Sequence, residues 1–161
     1  MNIRQATLDD VGLLAGLNED VQRIHAAAYP HLFKQPDYPA VAADFETRIL
    51  GNTQGQVYIA EVDGEAVGYI YALKMERPDN PYTYAQRYML IDQISVRPSE
   101  QGRGYGRKLI EAVIQWAADC GMGSVTLNTW GFNVHAHGFF EAMGFKRLKY
   151  SMGLDLNSGK R

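Results

Sequence analysis

The sequence predicts an α/β (α+β) chain: a mixed β-sheet with helices on both faces, built in the order βααβββαβαβ. Three observations lead there. Helical stretches with one apolar face are interleaved with short apolar strands instead of being segregated from them. The dipeptide Asp63-Gly64 joins two alternating runs near the middle of the chain, a strong hairpin signal. A strand ending near Val96 then passes through a glycine-rich turn into a helix, an arrangement suited to holding an anion.

Ile3 to Ala6 reads as the first strand. Thr7, with Asp10 three residues on, resembles a capping box in its acidic form. Val11, Leu14, Leu17, Val21 and Ile24 then recur at helical spacing to about Ala28. The segment from Tyr29 to Pro39 carries Pro30, Pro36 and Pro39, so it is expected to be irregular. A second helix, Ala40 to Leu50, stops at Gly51. The hairpin strands cover Gln56 to Val62 and Glu65 to Met75, and a loop from Arg77 to Tyr84 leads to a strand over Tyr88 to Val96. Leu109, Val113, Trp116 and Cys120 mark the buried stripe of the next helix, which ends at Gly121. Val125 to Trp130 is a strand, Asn133 opens a helix, and Phe145 to Leu156 is expected as the last strand. Asn157 to Arg161 reads as a flexible tail after a single domain over 1–156.

The stretch after Val96 departs from ordinary helix rules. Gly102, Gly104 and Gly106 crowd its start, although glycine costs about 1 kcal/mol against alanine inside a helix. Arg103, Arg107 and Lys108 gather at the same end, where the macrodipole already disfavours cations by roughly 0.3–1 kcal/mol each. An anion relieves both anomalies, because it accepts unpaired N–H groups and neutralises the arginines. The P-loop and dinucleotide spacings both fail here.

The run Gln101-Gly-Arg-Gly-Tyr-Gly106 matches the Gln/Arg-x-x-Gly-x-Gly/Ala signature, and so resembles the GNAT superfamily of acetyl-CoA-dependent N-acetyltransferases. A second block, from Asn128 through Asn133, Ala136 and Phe139 to Gly144-Phe145, is similar to that family's closing segment. The resemblance implies a GNAT-like domain whose central strands splay apart at a bulge near Gln93–Ser95. It implies that acetyl-CoA is the co-substrate, with its pyrophosphate on the amides of Gln101, Gly102, Arg103, Gly104, Tyr105, Gly106 and Arg107. The pantetheine arm would pair with backbone around Ile94, Ser95 and Val96, the Val96 N–H would serve as oxyanion donor, and Asn133 would contact the arm. In the family the loop region around Tyr29, His31 and Phe33 roofs the acceptor site, and Tyr82 in the second loop is a further candidate for that rim.

Acetyl transfer to an alkyl amine must first neutralise the amine. With a pKa near 10.4, the free base lies about 3.4 units from pH 7, or roughly 4.6 kcal/mol. Asp92 interrupts the apolar run Met89-Leu-Ile91 beside the expected bulge and is the leading candidate base; Glu61 is the alternative. Many family members place a tyrosine, as general acid, where this chain has Phe140. A thiol pKa near 8.5 makes that loss tolerable, since thiolate is only about 1.5 units from its acid form at pH 7. His137 and Tyr150 are possible substitutes, each more commonly structural. His135 and His137 lie two apart on a helix and share no face, so no metal site is expected.

The 161 residues carry a net charge of −2, which offers nothing for a nucleic-acid partner. A single cysteine, Cys120, fits a reducing cytoplasm, and no apolar run suits a membrane partner. A homodimer is compatible with all of this. The expected activity is transfer of an acetyl group to a primary amine of a small molecule or peptide, by direct attack in a ternary complex. A non-catalytic acyl-CoA-binding sensor of the same fold is the alternative reading.

Overall fold

Asp63 and Gly64 both take positive φ, 52° and 85°, the two left-handed positions of a tight hairpin turn. They join β2 (Gly55–Val62) to β3 (Glu65–Arg77) in a computed structural model that describes residues 1–156. The expected tail, 157–161, lies outside the described residues. Around this hairpin are β1 (Asn2–Gln5), β4 (Gln86–Val96) and β5 (Ser124–Leu127), giving a sheet in the order β1-β2-β3-β4-β5. The pairs β1–β2, β2–β3 and β3–β4 are antiparallel, and β5 runs parallel to β4. The mixed α/β architecture is the one the sequence predicts.

Helices α1 (Val11–Ala28) and α2 (Tyr38–Asp44) cover one face. Leu14 and Leu17 of α1 pack with Phe45, Ile49, Val57, Ile59, Tyr69 and Tyr71 in one buried cluster. Burial of side chains this size contributes about 1.5–3 kcal/mol each, so this layer dominates the stability of the face. Helix α3 (Tyr105–Asp119) lies on the other face, with Leu109, Ile110 and Val113 fully buried. Its Trp116 meets Tyr58 edge-on at 6.5 Å, with the Lys74 ammonium 6.0 Å from its ring.

Helix α2 begins at Tyr38, two residues before the expected start, because the Asp37 carboxylate accepts from the Ala40 N–H and Pro39 suits the first turn. Phe45–Ile49 continues it as a π-helical turn. At Gly51, just past the turn, an added Cβ would lie 2.4 Å from the Thr47 carbonyl oxygen, so the chain leaves the helix there on a glycine.

The expected strand over 145–156 does not form. The chain there is irregular and exposed, and its apolar alternation finds no ladder among the described residues. The chain divides into two compact units, Met1–Asn128 and the part from Thr129 onward. The second unit holds α4 (Val134–Ala142), capped by Asn133, whose side-chain oxygen accepts from the Ala136 N–H at 3.2 Å.

Arg4 ties the first strand to the first helix. Its guanidinium donates to both Asp10 oxygens, at 2.8 and 2.7 Å, and to Glu61 at 2.6 Å. Asp10 also accepts from the Thr7 N–H at 2.8 Å, as the capping signal foretold. Glu61, the alternative base in the sequence, is therefore committed to Arg4. The Arg4 hydrogen bonds hold the Asp10 carboxyl below its ordinary value against the opposing effect of burial. A depressed carboxyl contributes stability above its unfolded pKa, near 3.9, and loses it as pH falls through the folded value. Arg4→Met should cost about 2 kcal/mol at pH 7 and less at pH 3, read by urea titration at both. An equal loss at both pH values would remove Asp10 ionisation from the account.

Candidate functional site

Strand β4 pairs with β3 along its whole length but with β5 only from Tyr88 to Ile91. Beyond Ile91, its outer side has no ladder partner among the described residues, because β5 ends at Leu127. The register explains what that open edge presents. Tyr71 pairs with Gln93 and Ala72 with Ile91, so Asp92 is the extra residue of a bulge. The expected bulge near Gln93–Ser95 is thus displaced by one residue.

Past the bulge, the Arg97 N–H donates to the Val67 carbonyl at 2.9 Å. Antiparallel pairs alternate, so Ser95 and Gln93 also exchange their hydrogen bonds with β3. Ile94 and Val96 sit in the intervening pairs, opposite Ile70 and Gly68, and turn their N–H groups outward. The Val96 carbonyl points the same way and accepts from the Gln101 side chain at 3.0 Å. Ser95 faces elsewhere: its buried hydroxyl donates to the Leu17 carbonyl at 2.9 Å. Gly68 makes the close β3–β4 approach possible, since a Cβ would sit 2.6 Å from the Ser95 carbonyl oxygen.

The open edge runs directly into the glycine turn. Gly102 and Gly104 have φ of 76° and 88°, conformations that a side chain rarely adopts, and both precede the helix that the sequence starts at Gly102. Gly104 is the N-cap of α3 and offers no side-chain acceptor to the first turn. The nearest helical bond is Lys108 N–H to the Gly104 carbonyl. The amides of Tyr105, Gly106 and Arg107 therefore open toward the turn, an electropositive helix end without a protein cap.

The cations around the turn are not equivalent. Arg103 lies 3.3 Å from Glu100, and Lys108 lies 3.0 Å from Glu111. Arg97 folds back to donate to the Ala66 carbonyl at 3.1 Å. Arg107 has no carboxylate partner among the described residues.

Asp92 is exposed, and its charge reaches the α1/α2 face. It raises the Arg48 guanidinium, a smaller effect than the Asp44 hydrogen bond, and adds to the rise of the Tyr69 phenol. Burial is the main cause at Tyr69 and keeps it protonated across the physiological range. Its hydroxyl accepts from the Asn18 amide and donates to Gln93 Oε1, both at 2.8 Å. This chain of polar groups anchors α1 to the strand beside the bulge. The network was not legible in the sequence; three uncharged polar residues far apart give no periodic signal.

Among the loop candidates, Tyr29 and His31 stack edge-on at 5.9 Å, and Phe33 packs on His25 at 5.0 Å. Tyr38 donates to the Gly12 carbonyl at 3.1 Å and lines a small cleft with Ala15, Asn18, Glu19 and Asp37. Tyr82 projects from a separate turn, pinned where Asn80 Oδ1 accepts from the Tyr82 and Thr83 N–H groups. Asn133 belongs to the second unit, as does Phe140, buried against Phe139 and Phe145. His137 is engaged with the Trp130 carbonyl at 3.0 Å.

A profile of the Acetyltransferase (GNAT) family matches residues 18–145, from the α1 helix through the glycine turn to the end of α4. The chain belongs to the GNAT acetyltransferase family. N-acetyltransferase family 8 member 2 of Rattus norvegicus is 28% identical over 96 residues, covering 60% of this chain and 41% of that protein. Aminoglycoside N(6')-acetyltransferase type 1 of Stenotrophomonas maltophilia is 30% identical over 104 residues, covering 64% and 67%. The structure of AAC(6')-Iy in complex with a bisubstrate analogue, CoA-S-monomethyl-acetylneamine, superimposes with a TM-score of 0.75 at 25% identity over 96% of each chain. The chain spans less than half the length of the family 8 relatives it matches.

The cradle geometry yields a direct test with CoA. Gly104→Val forces a β-branched residue to φ 88° at the helix cap, and CoA affinity by calorimetry should fall at least tenfold. Arg107→Ala should weaken CoA more than Arg103→Ala, with a larger difference at low salt, because Glu100 already offsets Arg103. Equal affinity in a folded Gly104→Val chain would separate the turn from CoA binding.

Proposed function

We propose that this GNAT chain transfers the acetyl group of acetyl-CoA to the primary amine of a small molecule or peptide by direct attack. The observation that carries the reading is the open edge of β4, with the outward amides of Ile94 and Val96 leading into the uncapped N-terminus of α3. The residues present fit the proposed co-substrate: the turn and α3 supply amides and Arg107 for phosphates, while the edge supplies backbone partners for an extended amide-bearing arm. The family match and the CoA-bearing AAC(6')-Iy structure support the same choice.

When bound, acetyl-CoA supplies a thioester acyl carbon and a thiol leaving group. The Val96 N–H is the donor assigned to the acyl oxygen; a preorganised donor of this kind is worth about 3–4 kcal/mol. Asp92 is the assigned base, accepting the amine proton directly or through one water. It suits that role because the bulge sets it outside the ladder, exposed, at the edge where the sheet opens. Tyr29, His31, Phe33 and Tyr82 are assigned to the acceptor rim. Asn133, whose side-chain oxygen caps α4, is assigned to the arm on the family resemblance alone. No tyrosine acid is assigned, so the thiolate leaves unassisted. The aminoglycoside enzymes among the relatives make polyamine-like acceptors the first to try.

A thiol-release screen with acetyl-CoA and amines from four classes — polyamines, amino acids, aminoglycosides and peptide N-termini — tests the activity. Turnover with none of them, alongside retained CoA binding, would favour the sensor reading. With the best amine, Asp92→Asn should lower kcat/KM tenfold or more near pH 7 while leaving CoA affinity intact. The deficit should shrink as pH nears the amine pKa of about 10.4, where the free base needs no help. A pH–rate profile identical to the parent would remove Asp92 from the mechanism.

A further inference from the structure

Met89, Ile91, Ile94 and Val96 pair with Lys74, Ala72, Ile70 and Gly68, which are alternate residues of β3. All of them therefore lie on one face, the one where Lys74 meets Trp116 of α3. Strict alternation along β4 would put Ile91 on that face and Ile94 on the opposite one. One residue between them has to leave the ladder, and Asp92 and Gln93 compete for the single place opposite Tyr71. Apolar patterning does not choose between two polar residues. Beyond them the arrangement is closed, because the Ser95 hydroxyl is tied to the Leu17 carbonyl of α1 at 2.9 Å.

The Tyr69 phenol makes the choice. It is 0% exposed, and a buried hydroxyl without an acceptor is costly. It accepts from the Asn18 amide, so its one proton serves one acceptor, and Gln93 Oε1 supplies that acceptor at 2.8 Å. A neutral amide half-buried on this face loses less hydration than a carboxylate would. We propose that Gln93 and Tyr69 are positioning residues for the base: by holding the place opposite Tyr71, Gln93 keeps Asp92 outside the ladder. Without the Gln93 amide, the Asp92 carboxylate takes that place and accepts the Tyr69 proton, and residue 93 becomes the extra one. The bond then gained is charge-assisted, and the Asp92 charge already reaches Tyr69 and Arg48 from the bulge. The amides of Ile94 and Val96 keep their direction in both registers, because pairing from Ile94 onward is the same. The catalytic consequence rests on the assignment of Asp92 as base; the choice of register does not.

Gln93→Ala removes the acceptor without putting an apolar side chain in its place. In the parent chain, nuclear Overhauser contacts from the Tyr69 ring should reach the Gln93 side chain; in Gln93→Ala they should reach the Asp92 methylene instead. CoA affinity should stay within twofold of the parent, while kcat/KM for the best amine near pH 7 falls tenfold or more. In an Asp92→Asn background, Gln93→Ala should add less than a twofold loss, since both changes remove one function. Tyr69→Phe/Gln93→Ala lacks the hydroxyl that draws the carboxylate inward, so most of the lost rate should return, a gain that a purely structural role for Tyr69 would not give. A Gln93→Ala chain whose Asp92 stays away from the Tyr69 ring would overturn the proposal, whatever its rate. So would an additive loss in the Asp92→Asn background, or a parent chain without the Tyr69–Gln93 contacts, a measurement that needs no variant to fold. Full activity of Asp92→Asn would overturn the base assignment instead, and the Tyr69 contacts would still decide the register.

Discussion

A strand offers hydrogen bonds on two sides, and the site depends on how β4 divides them. One side is fully engaged with β3; the other is engaged with β5 for only the four residues from Tyr88 to Ile91. The bulge at Asp92 shifts the alternation by one residue at the point where β5 drops away. As a result Gln93 and Ser95 turn to the α1 face, while the amides of Ile94 and Val96 are left outward. Gly68 holds β3 close enough that this arrangement is kept up to Val96. The glycine turn and the start of α3 follow without a break, so backbone donors continue from a strand edge into a helix end.

Charge around that path is graded. Glu100 and Glu111 offset Arg103 and Lys108, and Arg97 bonds the Ala66 carbonyl of β3, so the local excess rests mainly on Arg107. The sequence shows four cations against one carboxylate in the stretch from Arg97 to Lys108, and that count overstates the field. Glu111 was missed because it lies beyond that stretch, one helical turn on from Lys108. Asp92, at the bulge itself, lies outside this basic stretch, and its charge is felt by Arg48 and Tyr69.

Much of the fold was legible because it rests on local signals. Asp63-Gly64 and the Thr7–Asp10 cap act within a few residues and are where the sequence puts them. The apolar spacing gives both α1 and α3, although Ile24 is exposed, Trp116 is half-buried and Cys120 lies just past the end of α3. Features set by long-range pairing were less legible. The bulge position depends on register with β3, which the β4 sequence alone does not contain. The Asn18–Tyr69–Gln93 chain joins residues up to 75 positions apart. The 145–156 segment has a strand's alternation, but alternation specifies a face and not the edge that will pair with it. The glycine turn was legible for the opposite reason: positive φ at Gly102 and Gly104 and the missing side-chain cap are written into the residues themselves.

The uncapped end of α3 also bears on how the protein persists between encounters with its ligand. A helix whose first turn lacks an acceptor frays more readily, and an anion seated there acts as the missing cap. Ligand occupancy is then part of the conformational stability of the first unit. At one hundred times the dissociation constant, a ligand specific for the folded state adds about 2.7 kcal/mol. Resistance of the chain to proteolysis should therefore rise with the concentration of an anion bound at that helix end.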